Sequence, residues 1–309
     1  MMKPTILVSD IIQGNLLAPF EQLGHCVPLA DADTALDANI FIATAFDTLD
    51  ATTIAKLPKT LKMISNIGAG VDKIDLEAAK RRGIAVTNTP IVADDTADLA
   101  FALLLATMRK TSYSEYYLRQ GDWQTACSIM GVTPRGKTLG IIGAGAIGSA
   151  MARRANAFGL NLCYHGPNPK PALEAELDIH YEPTLTGLLA KSDVISLHCP
   201  LNQHTQHCIN ATAIAAMKPG AFVINTGRGS LINEQDLVNA LASGHIAGAG
   251  LDVFEHEPKV HPELQNNPHV TLTAHIGGAT PECRRAIIEQ AINNASVFLT
   301  TGELCNRVI

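Results

Sequence analysis

Beyond Lys137 the chain runs through six short apolar segments, TLGIIG, LNLCYH, SDVISLHC, AFVINT, AGAGLDVF and VTLTAH. Gly, Pro or Asp bounds them, and stretches of helical period lie between them. A strand that is apolar at successive positions is covered on both faces, as in a parallel sheet sandwiched by helices. The alternation implies a doubly wound α/β fold. The segments TILVS, NIFIA and KMISNIG repeat the pattern earlier in the chain. Between the two sets, VTNTPIVADDTADLAFALLLATMRK passes from a strand into a long helix, with Asp94 or Asp95 as its expected N-cap. RQGDWQTACSIMGVTPRGK, which carries the only tryptophan, Trp123, reads as irregular. Two lobes are expected, one to about Asp94 and a nucleotide-binding lobe after it.

Composition narrows the function classes. Apolar residues at 47% against 17% charged suit a soluble protein with a sizeable core. A net charge of −6 argues against nucleic acid or an anionic membrane as the main partner. No apolar run approaches the ~20 residues of a membrane helix, and MMKPTILVSD reads as an early strand rather than a signal peptide. The seven cysteines are scattered without a CxxC pair, which points to reduced thiols in a cytoplasmic protein.

Gly143, Gly145 and Gly148 form GxGxxG between the strand TLGII and a helix whose Ile147, Met151, Ala155 and Phe158 share one face. In such a loop the first glycine permits a tight turn and the second lets the backbone approach a pyrophosphate. The third lets the helix pack on its strand, with its N-terminus facing the negative charge. The acid that would hold the ribose of NAD some twenty residues on is missing. The next strand ends YHGPNPK, with His165 in that place and no carboxylate before Glu174. His165, Asn168 and Lys170 are able to donate to a 2′-phosphate, yet the turn has no arginine. The balance favours NADP(H) and leaves NAD(H) open.

Three side chains then follow strand ends, where open parallel sheets bind ligands. Arg228 stands between Gly227 and Gly229, Glu257 follows GLDVF, and His275 closes VTLTAH. Reduction of a 2-keto acid needs a cation for the carboxylate and carbonyl, which the guanidinium fork suits. It also needs a proton donor, which an imidazole steadied by a carboxylate suits.

These residues sit in SNIGAGVDKIDLEAAKRRGIAVTNTP, GAGAIG, LHCPLNQHTQHCIN, MKPGAFVINTGRGSLINEQDLVNAL, AGAGLDVFEHEP and TAHIGGAT, in that order. Over nearly its whole length the chain resembles the D-isomer-specific 2-hydroxyacid dehydrogenase family. The resemblance implies Arg228 as the substrate-binding cation, His275 as acid/base and Glu257 as its partner. It implies that the amides of Gly68, Ala69 and Gly70 hold the substrate carboxylate. Besides the glycine loop, it places Thr96, Ala146, Ile147, Thr226, Gly227, Asp252, His275 and Gly277 against the cofactor. His165, Gly166 and Pro167 from one turn, and Cys199, Pro200 and Thr205 from another, join them. It implies a Rossmann cofactor domain, residues 95–280, inserted in a flavodoxin-like substrate domain. Residues 1–94 would form the first part of that domain, and a helix in 281–309 would return to it. A homodimer whose lobes close on the substrate is implied as well.

Within the family the chain is most similar to the glyoxylate/hydroxypyruvate reductase branch. Pro167 and Asn168 stand where that branch has arginines, which leaves dual nucleotide use open. Other D-2-hydroxy acids (D-lactate, 2-ketogluconate, 3-phosphoglycerate) are the alternative substrates. A nucleotide-sensing, corepressor-like module is the non-enzymatic alternative. The run HCPLNQHTQHC gathers His198, Cys199, His204, His207 and Cys208 but matches no common zinc spacing, so no metal is expected. His25, His180, His245, His256, His261 and His269 are expected at the surface.

Overall fold

The computed structural model describes residues 3–309. The chain divides into two compact units, Met1–Val92 with Ala279–Ile309, and Ala93–Gly278. Among the described residues no helix is long and apolar enough to cross a membrane.

The first unit holds five parallel strands: β1 (Thr5–Val8), β2 (His25–Pro28), β3 (Ile40–Thr44), β4 (Met63–Ile67) and β5 (Ala85–Thr87). Their order, β2-β1-β3-β4-β5, is that of the flavodoxin-like sheet. Every side chain of β3 is buried, as expected for a central strand covered on both faces. One face packs on Leu49, Ile54, Leu57 and Leu61. Helix Pro281–Thr301, capped by Thr280, covers the other, setting Ala291 and Ala295 against Ile6, Ile42 and Met63.

The second unit holds seven strands: β6 (Thr138–Ile142), β7 (Asn161–His165), β8 (His180–Tyr181), β9 (Val194–Leu197), β10 (Ala221–Asn225), β11 (Ile246–Leu251) and β12 (Val270–Leu272). All pair in parallel, in the order β12-β11-β10-β9-β6-β7-β8. The chain winds outward from β6 in both directions, so the switch point of this Rossmann sheet lies between β6 and β9. Helix Ala93–Arg109 buries Ala97, Ala100, Leu103 and Leu104 against Leu139, Ile141 and Met151.

Four local expectations are corrected. Asp94 and Asp95 lie inside the first turn of helix Ala93–Arg109 instead of capping it. There their charge favours the helix dipole, and Arg154 bonds both Asp94 and Asp98. Trp123–Ser128 forms a short helix capped by Asp122, whose carboxylate accepts from the Thr125 amide at 2.9 Å. Six residues are too few to show a period in sequence. β12 ends at Leu272, three residues before His275. Of the histidines expected at the surface, His245 and His261 are half-buried, held by the Ile214 carbonyl and the Glu263 amide.

Candidate active site

The GxGxxG loop leaves β6 at the switch point and opens helix Ala146–Ala157. Gly143 has φ +92°, a conformation that L side chains rarely adopt, and a Cβ there would stand 2.6 Å from the Cys199 nitrogen. A Cβ on Gly148 would meet the Gly143 carbonyl, so helix and loop pack closer than any other residue allows. Around Gly145 there is nothing within 4 Å of a Cβ, and as N-cap it brings no side chain to the helix amides. An open backbone under an uncapped helix N-terminus fits a pyrophosphate.

Beside the loop opens a cavity of about 650 Å³. Its walls include Gly143 and Gly145 after β6, then His165, Gly166 and Pro167 after β7, and Cys199, Pro200 and Thr205 after β9. Sequence reasoning missed six of its lining residues, Ile142, Ala144, Tyr164, Tyr181, Pro183 and His198. No carboxylate side chain lines the cavity, whereas Asn168 and Lys170 do. Two nearby carboxylates are engaged elsewhere: Glu174 accepts from the Tyr164 hydroxyl at 2.5 Å and Glu182 pairs with Lys191 at 2.5 Å. The residues present fit a dinucleotide, with cation and amide donors where an NAD site carries an acid.

At the far side of the same sheet, β10 delivers Arg228. Fully buried Asn225 shapes its loop, donating to the Arg228 carbonyl at 2.8 Å and accepting from the Gly227 amide at 3.0 Å. Arg228 itself reaches back to the Gly227 carbonyl. A Cβ on Gly229 would collide with the Phe254–Glu255 peptide, so the arginine loop lies directly on the loop that carries Glu257. Glu257 accepts from the Phe254 amide at 3.0 Å through one oxygen and from His275 Nδ1 at 2.8 Å through the other. Because the carboxylate accepts, Nδ1 carries the hydrogen of that bond.

His275 has φ +54°, a left-handed conformation that costs a non-glycine residue about 1–3 kcal/mol. Buried Asp252 imposes it. The Asp252 carbonyl accepts from the His275 amide at 2.7 Å. Its carboxylate takes the Thr273 hydroxyl at 2.7 Å and the amides of Ile276 and Gly277 at 2.8 and 2.9 Å. Thr96 closes the group by donating to the Gly277 carbonyl at 3.3 Å. Thr226 follows β10 with its buried hydroxyl unpartnered, a polar atom that a ligand amide would satisfy. Asp252→Ala strands three donors, and we expect it to lower unfolding stability by about 2–4 kcal/mol. Urea melts test this; an unchanged midpoint would mean that the turn is held by other contacts.

In the first unit the loop after β4 carries Gly68–Gly70. Asn66 donates to the carbonyls of Gly68 and Gly70, and Asn88 donates to that of Ala69. With the carbonyls tied back, the amides of Ala69 and Gly70 are left as donors for an anion. Gly68 departs from the expectation, because its amide is already spent on Thr89 Oγ1 at 2.8 Å.

The histidine- and cysteine-rich run disperses. His198 bonds Ser196 at 2.8 Å, and burial of its ring pushes its pKa down to about 4. His204 faces solvent beside Gln203. His207 pairs with Glu255 at 2.5 Å. Cys199 and Cys208 are free thiols, and each acts on the other, raising the pKa of Cys199 and lowering that of Cys208. Among the described residues no group of three or more His, Cys, Asp or Glu is placed to hold a metal ion.

Residues 101–277 match the family model for the NAD-binding domain of D-isomer specific 2-hydroxyacid dehydrogenases, more than half of the chain. The chain belongs to this family. A glyoxylate reductase of Thermococcus litoralis is 43% identical over 276 residues, covering 87% of this chain and 82% of its own. The crystal structure of a glyoxylate reductase from Paecilomyes thermophila superposes with a TM-score of 0.92 at 37% identity, over 100% of this chain and 99% of that one. The NADPH-dependent glyoxylate/hydroxypyruvate reductase of Sinorhizobium meliloti, crystallised with NADP and malonate, gives 0.91 at 35% identity, over 99% and 97%. The protein is therefore an oxidoreductase with a nicotinamide-dinucleotide domain of Rossmann type, similar to the branch whose members are named glyoxylate reductases.

Proposed function

We propose that this dehydrogenase reduces a short 2-keto acid, glyoxylate or hydroxypyruvate, to the D-2-hydroxy acid, with NADPH favoured over NADH. The observation that carries the reading is the Glu257–His275 pair at 2.8 Å, set on a loop that packs directly against that of Arg228. Arg228 binds the carboxylate and polarises the keto oxygen through its planar fork. A dinucleotide held beside the Gly143–Gly148 loop would supply the hydride. His275 gives the Nε2 proton to the oxygen as negative charge develops there, and Glu257 stabilises the imidazolium that must be present beforehand.

The cavity without a lining carboxylate supports NADPH, since nothing in its walls repels a 2′-phosphate. The names of the relatives support the substrate class. A homodimer would have exposed apolar side chains such as Tyr116, Leu118, Trp123 and Met130 to cover.

The test offers glyoxylate and hydroxypyruvate to the purified protein, with NADPH and NADH side by side, and follows loss of reduced-nicotinamide absorbance. Turnover of both acids, faster with NADPH, is expected. Turnover confined to larger or phosphorylated keto acids sinks the substrate assignment, and faster turnover with NADH reverses the cofactor order. The same sample, sized in solution, should run as a dimer of the 32.8 kDa chain; a monomer removes that part of the proposal.

A further inference from the structure

The strand that should end in a ribose-binding acid ends in His165, and the structure fixes how that imidazole is oriented. His165 Nδ1 lies 2.9 Å from the carbonyl oxygen of Glu182, just past β8. A carbonyl only accepts, so Nδ1 carries a hydrogen whether the ring is neutral or charged. All change of charge is thereby assigned to Nε2. In the neutral ring Nε2 is a bare lone pair, an acceptor like the oxygen of the missing carboxylate. In the charged ring the same atom is a cationic donor.

The surroundings keep other charge changes out of the neutral range. Burial and the bond to Glu174 push the Tyr164 phenol up to about 12, and burial pushes His198 down to about 4. Cys199 is raised by the influence of the Cys208 thiol and by burial. Tyr181 is tied through its hydroxyl to the Gly166 carbonyl at 3.0 Å, and the Glu182 carboxylate faces Lys191. Lys170, on the cavity wall, is the other basic side chain in the turn after β7. Imidazole is the side chain whose two charge states are both accessible in the neutral range.

We infer that His165 selects the nucleotide by its own charge. The neutral ring accepts from the adenosine ribose 2′-hydroxyl and admits NADH; the protonated ring donates to the 2′-phosphate and favours NADPH. The inference rests on the reading that this protein uses nicotinamide dinucleotides as co-substrates, and it names what chooses between them. It accounts for a turn that has neither the acid of an NAD site nor an arginine for the phosphate. Preference for NADPH should rise as the pH falls through the imidazole range.

The experiment measures Kd for NADPH and NADH by nucleotide fluorescence from pH 5.5 to 8.5, in the wild type and in His165→Asn. The Asn amide keeps a donor for the Glu182 carbonyl but has no proton to gain. The free nucleotide's 2′-phosphate titrates identically in both experiments, so the difference between the two profiles reports the imidazole together with its coupling to the bound phosphate. Between the ends of this range the wild-type ratio Kd(NADH)/Kd(NADPH) should change about tenfold more than that of the variant, as expected of a charge-assisted hydrogen bond. Parallel profiles overturn the inference. Nitrogen-15 NMR of the imidazole supplies an independent check: the neutral ring must be the Nδ1–H form, and an Nε2–H form also overturns it. Both readouts are of binding and protonation, so a protein that reduces no keto acid would defeat the proposed reaction while leaving this test intact.

Discussion

His275→Asn is expected to lower kcat for keto-acid reduction by about 10²–10⁴-fold, the usual worth of a positioned general acid, with nucleotide Kd largely unchanged. Asn is the informative replacement because of the backbone. Position 275 sits at φ +54°, a conformation that Asn adopts more readily than other non-glycine residues. The Asn amide also retains a donor for Glu257. The turn held by Asp252 therefore persists and the proton alone is lost. Steady-state kinetics beside nucleotide binding make the measurement, and a kcat near that of the wild type would place the proton donor elsewhere. Glu257→Gln keeps an acceptor for Nδ1 and removes the charge that stabilises the imidazolium, so its kcat should fall less.

What was legible in the sequence is what residue type alone dictates. Gly143 and Gly148 could be read because a positive φ and a helix packed on its strand each demand the absence of a Cβ, and the structure shows both demands. Arg228, Glu257 and His275 were legible as complementary chemistries following strand ends. Their fixing was not. Asp252 orders the His275 turn across 21 to 25 positions of sequence, and nothing in its own neighbourhood marks it as the anchor. The Glu182 carbonyl that orients His165 is a backbone atom 17 positions away, and backbone atoms leave no signature in composition. The same limit hid the Thr89 hydroxyl that consumes the Gly68 amide. Residue identity names candidates; long-range hydrogen bonds decide which atoms of those candidates face a ligand.

Arg228→Ala is expected to cut kcat/KM for the keto acid by about 10²–10³-fold, the loss of a charge-assisted, two-pronged contact in the transition state. The loop should survive the change, because it is built by the Asn225 side chain and by the close approach of Gly229 to Phe254, neither of which uses the guanidinium. Unfolding midpoints should therefore move little, which separates a binding role from a structural one. Arg228→Lys gives the sharper comparison. It restores the positive charge without the planar fork, so a fall close to that of Arg228→Ala assigns the effect to bidentate geometry. Recovery to near the wild-type value assigns it to charge alone. Nucleotide Kd is the control, since the cavity beside the glycine loop does not include Arg228 in its walls. If kcat/KM for glyoxylate and hydroxypyruvate stays near normal in Arg228→Ala, the arginine does not bind the substrate, and the carboxylate must be held by other donors.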